Sequence, residues 1–500
     1  MKKKVILATV LAVLGLGTTS CDMNLQPEGS LGLENSFQSL DDALAFRTGF
    51  YMALNGRVAG SRVYYPEVQS DLFHATNSYG NRGGYIYYWQ FTSGDNDIHS
   101  IFLNRYSALK DVNFFISSAN SLNKSEWSDE DKAQLQVWKG EAFFIRAYYH
   151  MQLAELFSAN PVGNMDTYGI PYVTTYNPTS DQTQYPDRGT LSETYGNIFS
   201  DLDSAAAYLT TPGEPGSQYA TADAVLALKA RAALYTGDYQ SAISNAKSLI
   251  DSGRYPLVDN AADLSAMWVN DSGDECILQL WANINNLPSS YDYGYIGNNA
   301  AEKRYSPDYI PEQWVLDLYA EYPSDLRIGQ FLKDTVITLT GNAQYPATLL
   351  YKFVGNPELR TGQELNYYQR TKPFRIAETY LILAEAYARN GQASEGSAVL
   401  NQLRAARIPG YTAQTFSQSA LLQEVLEERV RELIGEGFRL QDLRRYGLGL
   451  ERGAAQVDEN ALANNFALQK AATDPRFIWP IPQEEILSNP QISDQQNPGY

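Results

Sequence analysis

Few side chains in this sequence have the types and spacing that chemistry requires. Among 500 residues there are three histidines and two cysteines. His74, His99 and His150 form no HExxH pair, and Cys21 and Cys276 form no CxxC, so the common zinc chemistries are excluded. His150 lies in a helical pattern and is expected to pack rather than to ligate. No GxSxG elbow, Walker loop or GxGxxG fingerprint occurs, and the glycine-rich run Gly80 to Gly84 lacks the Lys-Ser/Thr of a phosphate loop. Two carboxylate pairs could serve glycoside hydrolysis. Asp95 and Asp97 fall in a loop, where shaping a turn is the commonest role. Asp201 and Asp203 fall on a helical pattern and are expected to be solvated.

Aromatic residues are the positive signal. Tyrosine alone counts 36. Tyr79, Tyr85, Tyr87, Tyr88 and Trp89 interleave with Asn77, Asn81 and Arg82. Trp281, Tyr291, Tyr293 and Tyr295 lie beside Asp292 and Asn298. Flat aromatic faces stack on sugar rings while Asn, Asp and Arg satisfy hydroxyls, and the same groups suit peptides. From loop position and chemistry, the expected ligand contacts are Trp89, Tyr79, Asn77 and Arg82 from the first cluster, and Tyr291 and Tyr293 from the second. No catalytic residue, metal ligand or cofactor is expected.

Positioning these clusters requires a scaffold, and the periodicity is mainly helical. Residues 129–157 and 191–209 each carry one helical pattern, the second with Thr190 as N-cap. Residues 220–251 hold two patterns around Gly237, with Ala230, Ala232 and Ala242 where paired helices would touch. Residues 377–407 repeat that arrangement around Gly391, and 419–434 add another amphipathic helix. Both pairs look tetratricopeptide-like. Between them, 255–370 is rich in Pro, Gly, Asn and Tyr and reads as loops with a few strands, as does 60–104. Glu428, Arg429, Arg431, Glu432 and Glu436, at helical spacing, are expected to form ion pairs that lock the last helices together.

The formal net charge of -19 makes nucleic acid an unlikely partner and argues against electrostatic docking on anionic lipid. Membrane contact therefore needs another cause, and the first residues supply one. Lys2 to Lys4 precede the apolar run Val5 to Leu16 and the small residues Thr18 to Ser20, which is the anatomy of a signal peptide. Cys21 then stands where a bacterial lipobox places its lipidated cysteine, although Thr18 occupies a position usually aliphatic. Several acyl chains, palmitate among them, would anchor the protein through Cys21. Cys276 would remain as a small buried hydrophobe. The expected organisation is a signal peptide at 1–20, a lipidated N-terminus and tether at 21–35, and a body divided into 36–255 and 256–500, with a loop-rich, ligand-facing insert at 256–370.

The order of several blocks resembles the SusD/RagB family of nutrient-binding outer-membrane lipoproteins. These are GEAFFIRAYYHMQLAELF at 140–157 with GIPYV at 169–173, the two helical stretches that follow, PEQWVLDLYAEYPSDLRI at 311–328, FRIAETYLILAEAYARNG at 374–391, EERVRELIGEGFRLQDLRRYG at 427–447 and the closing NPGY. The resemblance implies a mostly α fold of tetratricopeptide-like helix pairs with long loops and a few short strands. It also implies a surface-exposed, lipid-anchored, non-catalytic protein of the outer membrane. Such a protein captures oligo- or polysaccharide and hands it to a SusC-like TonB-dependent barrel transporter. VRELIGEGFRLQDLRRY and PEQWVLDLY are similar to the RagB branch, for which the implied ligand is peptide. A glycoside hydrolase is the remote alternative.

Overall fold

The computed structural model describes residues 36–122, 124–290, 304–360 and 367–500. Cys21, the signal and tether segments, Tyr291, Tyr293 and Tyr295 lie outside the described residues.

The described chain is mostly helical. It opens with α1 (Leu40–Asn55), α2 (Ser61–Gln69), β1 (Phe73–Ala75) and α3 (Gly84–Tyr87). Two long helices follow, α4 (Asn96–Ser121) and α5 (Asp129–Phe157), then α6 (Leu191–Tyr208), α7 (Ala222–Thr236), α8 (Tyr239–Asp251) and α9 (Ala261–Val269). A mixed stretch holds β2 (Cys276–Leu278), β3 (Tyr309–Pro311), α10 (Gln313–Ala320), α11 (Leu326–Phe331) and the hairpin β4 (Leu332–Thr338) and β5 (Gln344–Leu350). The last part holds β6 (Phe374–Arg375), α12 (Ile376–Arg389), α13 (Ala393–Arg407), α14 (Gln418–Leu433), α15 (Arg439–Tyr446), β7 (Leu450–Arg452), β8 (Leu468–Lys470) and α16 (Gln483–Ser488).

The helices expected from periodicity are present, and the N-cap of α6 is Thr190, which accepts from the Glu193 amide in a capping box. Helix α5 starts at Ser128, whose hydroxyl accepts from the Asp131 amide, with Asp129, Glu130 and Asp131 complementing the helix dipole. From Trp138 to Phe157 it is buried on nearly every face, as a helix enclosed on all sides must be. It packs between α4 and α6, and the array continues through α7, α8, α12 and α14. Ala230, Ala232 and Ala242 are fully buried in the α7–α8 pair. Gly237, with φ 81°, ends α7 in the left-handed conformation that a Cβ disfavours. Gly396 is required by packing, because a Cβ there would meet the Ala384 carbonyl at 2.9 Å, so α12 and α13 touch through it.

Among the described residues, four two-stranded antiparallel sheets tie the array to its loops: β1–β3, β2–β6, β4–β5 and β7–β8. Two of them, β1–β3 and β2–β6, join segments that are distant in sequence; β1 pairs Phe73 with Pro311 and Ala75 with Tyr309. The main hydrophobic core draws on residues from Phe37 to Ile492, with smaller buried clusters around Ile310 and Ile337 and around Trp89 and Phe477. Two stretches read as loops are more ordered than expected. Residues 60–104 hold α2 and the start of α4, and 256–370 holds α9, α10, α11 and the β4–β5 hairpin. Pro66 inside α2 and the tyrosine-rich sequence masked the helical period there.

Asp201 corrects a second expectation. It is buried rather than solvated, paired with Arg146 at 2.6 Å and accepting from the Tyr172 hydroxyl at 2.6 Å. Asp203 is exposed and pairs with Lys229. His150 is a packing residue, with Nδ1 on the Arg146 carbonyl, Nε2 accepting from the Val173 amide and the ring stacked on Tyr172. Burial pushes its pKa down to about 3. Cys276 is fully buried, and burial pushes its thiol up to about 12.

The ion pairs expected around 428–436 exist, but most of their partners come from elsewhere in the chain. Glu432 meets Arg375 at 2.9 Å, Arg407 at 3.0 Å and Arg327 at 3.1 Å. Glu428 meets Arg327 at 2.7 Å, Arg404 at 2.8 Å and Arg431 at 3.3 Å. Glu275, beside β2, bridges Arg407 and Arg375, and Lys352 pairs with Glu436. Burial opposes ionisation of Glu428, yet the three arginines hold its carboxyl down at about 2.

Removing one carboxylate from a buried network strands its cations at a cost of about 3–5 kcal/mol. Glu432→Ala is therefore expected to lower the free energy of unfolding by that order in a urea titration. The acid limb of stability is also set. His150 and Glu428 are depressed in the fold, so their contributions are lost as pH falls from about 6.5 and about 4.5 respectively. Glu67 is buried on α2 and accepts from the Gly435 and Gly437 amides, and burial raises its carboxyl to about 7. Its contribution has the opposite sign and grows as pH falls through that range. Melting temperature is expected to stay nearly level down to about pH 4.5 and then drop, with decline starting near pH 6.5 in Glu67→Gln.

Candidate functional site

The first aromatic cluster forms one wall of a groove that encloses about 490 Å³. Loop 76–90 supplies Asn77, Tyr79, Tyr88 and Gln90. The opposite wall comes from the end of the chain, through Asn464, Asn465 and the apolar residues around them. The two walls are laced together. The Asn77 amide nitrogen donates to the Ala461 carbonyl, its side chain donates to the Asn460 carbonyl, and the Tyr88 hydroxyl donates to the Asn464 carbonyl at 2.6 Å.

The loop is fixed from beneath. Thr340, at the tip of the β4–β5 hairpin, donates its amide to the Ser78 hydroxyl and its own hydroxyl to the Asn77 carbonyl. Tyr64 and Tyr309 both donate to the Arg82 carbonyl, and the Arg82 guanidinium grips the buried Asp308 carboxylate. Tyr309 also touches Tyr64, Tyr79 and Tyr87 edge-on, with centroids 5.6–6.1 Å apart.

Of the expected contacts, Asn77 and Tyr79 line the groove. Trp89 does not, which is a correction. It is 2% exposed, its indole N–H donates to the Gln69 carbonyl at 2.9 Å, and its ring meets Phe477 edge-on at 4.7 Å. Trp89 also has φ 58°, a left-handed conformation costly for a bulky residue. Burial of the indole holds that kink, and the kink leaves Tyr88 and Gln90 on the groove side. Arg82 is half exposed but committed to Asp308, so it buttresses the loop. Trp281 is 41% exposed beside the end of α1, where its carbonyl accepts from Asn55, and it does not line the groove.

Sequence reading missed Gln90, Asn464 and Asn465 and passed over Tyr88 in favour of its neighbour. A signal existed for the far wall, because an Asn-Asn pair inside an apolar stretch marks a turn that exposes amides, and Asn465 has φ 56°. Nothing in the sequence joined that turn to a loop more than 370 positions earlier.

The groove offers phenol faces, side-chain amides and backbone groups, with no carboxylate, histidine or cysteine among its described lining residues. Burial, and after it the neighbouring Tyr79 hydroxyl, raises the Tyr88 phenol, so it remains a neutral donor. Asp95 serves a turn instead, its carboxylate accepting from the Thr92 amide and hydroxyl. Among the described residues no group of histidine, cysteine and carboxylate side chains could hold a metal. No described helix is long and apolar enough to cross a membrane.

Residues 295–500 match the SusD family, and residues 35–234 match a SusD-like family described as starch-binding associating with outer membrane. A SusD-like protein P38 from Formosa agariphila is 22% identical over the full length of both chains. A SusD superfamily protein from Bacteroides thetaiotaomicron superposes with a TM-score of 0.78 at 27% identity, covering 92% of this chain and 100% of the other. A SusD-like carbohydrate binding protein from Bacteroides vulgatus has a TM-score of 0.75 at 20% identity, covering 92% and 98%. The surface glycan-binding protein A of Bacteroides fluxus has a TM-score of 0.69 at 21% identity, covering 93% and 100%.

The two roles assigned around the kink are separable by stability. Trp89→Ala is expected to cost about 3–5 kcal/mol in chemical denaturation, as loss of a buried indole does. Tyr88→Phe removes one partly exposed hydrogen bond and is expected to cost about 1 kcal/mol.

Proposed function

The chain belongs to the SusD/RagB family, and from that premise we propose that it captures extracellular oligo- or polysaccharide and delivers it to a SusC-like TonB-dependent barrel. In this reading acyl chains on Cys21 hold the protein on the outer membrane, and capture involves no catalysis.

The observation that carries the proposal is the makeup of the groove. Tyr79 and Tyr88 present aromatic faces beside Asn77, Gln90, Asn464 and Asn465. A neutral polyhydroxyl ligand needs flat apolar area for its C–H faces and amides for its hydroxyls, and it gains nothing from fixed charge. The volume of about 490 Å³ suits a few sugar rings. The described lining holds no pair of carboxylates, which glycoside hydrolysis would need. Further support comes from the starch-binding description of the family matching 35–234 and from the carbohydrate- and glycan-binding names of two structural relatives.

Affinity electrophoresis through gels containing starch, xylan, mannan or other soluble polysaccharides tests the reading. Retardation by at least one glycan is expected, with Tyr79→Ala and Tyr88→Ala each weakening it about tenfold or more, the worth of a stacked aromatic. No retardation by any glycan, together with tight binding of oligopeptides, would move the groove to peptide capture. New reducing ends on a bound glycan would overturn the non-catalytic assignment.

A further inference from the structure

A second concavity has different chemistry. It encloses about 310 Å³ between the middle of α4, the segment 171–186 and the α16 region. Phe102, Tyr106, Tyr176 and Tyr185 line it with Pro171 and Pro186, and the exposed lining is mainly apolar. Into this setting the chain places one carboxylate, Glu485.

The partners of these groups decide what the pocket lacks. The Tyr106 hydroxyl donates to the Pro171 carbonyl at 2.8 Å, and the Asn489 amide donates to the Pro186 carbonyl at 2.8 Å. Tyr185 donates to the Thr179 carbonyl. The Tyr176 ring is held at 5.0 Å from Phe114, which packs under Phe37. The Glu485 carboxylate, by contrast, accepts no hydrogen bond and forms no ion pair among the described residues. The adjacent His99 imidazole is taken by the Glu484 carboxylate at 2.6 Å. Lys110 also lines the pocket, but it is 59% exposed and its ammonium lies 3.4 Å from Asp111. Burial raises the Glu485 carboxyl, with Glu484 adding to the effect and His99 opposing it. A half-buried carboxylate that has no partner among the described residues and is set beside aromatic rings is complementary to an organic cation.

We infer that this pocket binds an organic ammonium group on a body the size of a hexose. The aromatic rings contribute cation–π contact and Glu485 the counter-charge. The net charge of -19 raises the local concentration of such cations. This site is separate from the groove, where no fixed charge lines the wall, and it stands whether or not the groove takes glycan. Two nutrient classes carry the required group, amino sugars and the side chain of lysine.

Titration calorimetry on the purified full-length chain at pH 7.5 tests the inference with choline and its uncharged isostere 3,3-dimethyl-1-butanol. Choline is expected to bind at least about tenfold more tightly than the isostere. Glu485→Gln and Tyr176→Leu are each expected to weaken choline about tenfold while the melting temperature stays within a few degrees of the parent. Glucosamine and lysinamide are then competed against choline, and the one that displaces it names the nutrient class. Equal binding of choline and the isostere, no binding of choline, or unchanged binding in both variants overturns the assignment. Failure of both competitors overturns its nutrient role. Loss of glycan retardation in groove variants, with choline binding retained, separates the two sites.

Discussion

Buried charge is tolerated only when every charge has a partner, and this fold is organised around that constraint. Glu428 and Glu432 lie on one helix, with side chains fully removed from water, and each needs several cations to remain ionised. Those cations arrive from different elements: Arg327 from α11, Arg375 from β6, Arg404 and Arg407 from α13. Glu275 at the edge of β2 closes the circuit from the far side. A hydrophobic core of this size could take many packings. The network takes one, because displacing any of these elements would leave a bare charge in a low dielectric. The helix pairs are thereby set in register with the loops that the same elements carry.

The 76–90 loop is held in place for a related reason. Its backbone is strained at Trp89, and the strain persists because the indole is buried, hydrogen-bonded and packed on Phe477. Arg82 reaches back to Asp308, immediately before β3, and β3 pairs with β1 at the root of the loop. The loop is thus clamped at its root, at its middle and at its kink, and its remaining side chains are displayed. Pre-ordering of this kind spares a ligand the entropy of organising its own site.

The two concave surfaces differ in charge. The groove is neutral, with phenols and amides drawn from both ends of the chain. The second pocket is aromatic with one carboxylate. Under the proposed readings, the first suits a polyhydroxyl chain and the second a cationic group, so one scaffold would accept nutrients that differ in charge.

The sequence by itself determined the scaffold and its local chemistry. Helix periods, the Thr190 cap and the Gly237 and Gly391 turns are properties of a few consecutive residues, and such properties survive into the fold. It also marked the Tyr79–Trp89 run as a candidate surface, and Tyr79 and Tyr88 from that run do line the groove. Tertiary structure alone decided which side of that run faces outward, because a single left-handed residue reverses adjacent side chains and no local pattern announces it. It alone brought Asn464 and Asn465 opposite Asn77, and Arg407 onto Glu275, since pairings across hundreds of residues depend on how helices pack. Asp201 shows the same limit on a smaller scale. Its helical position was legible, but its burial came from Arg146 on the neighbouring helix, and a carboxylate's fate is fixed by the charge that reaches it.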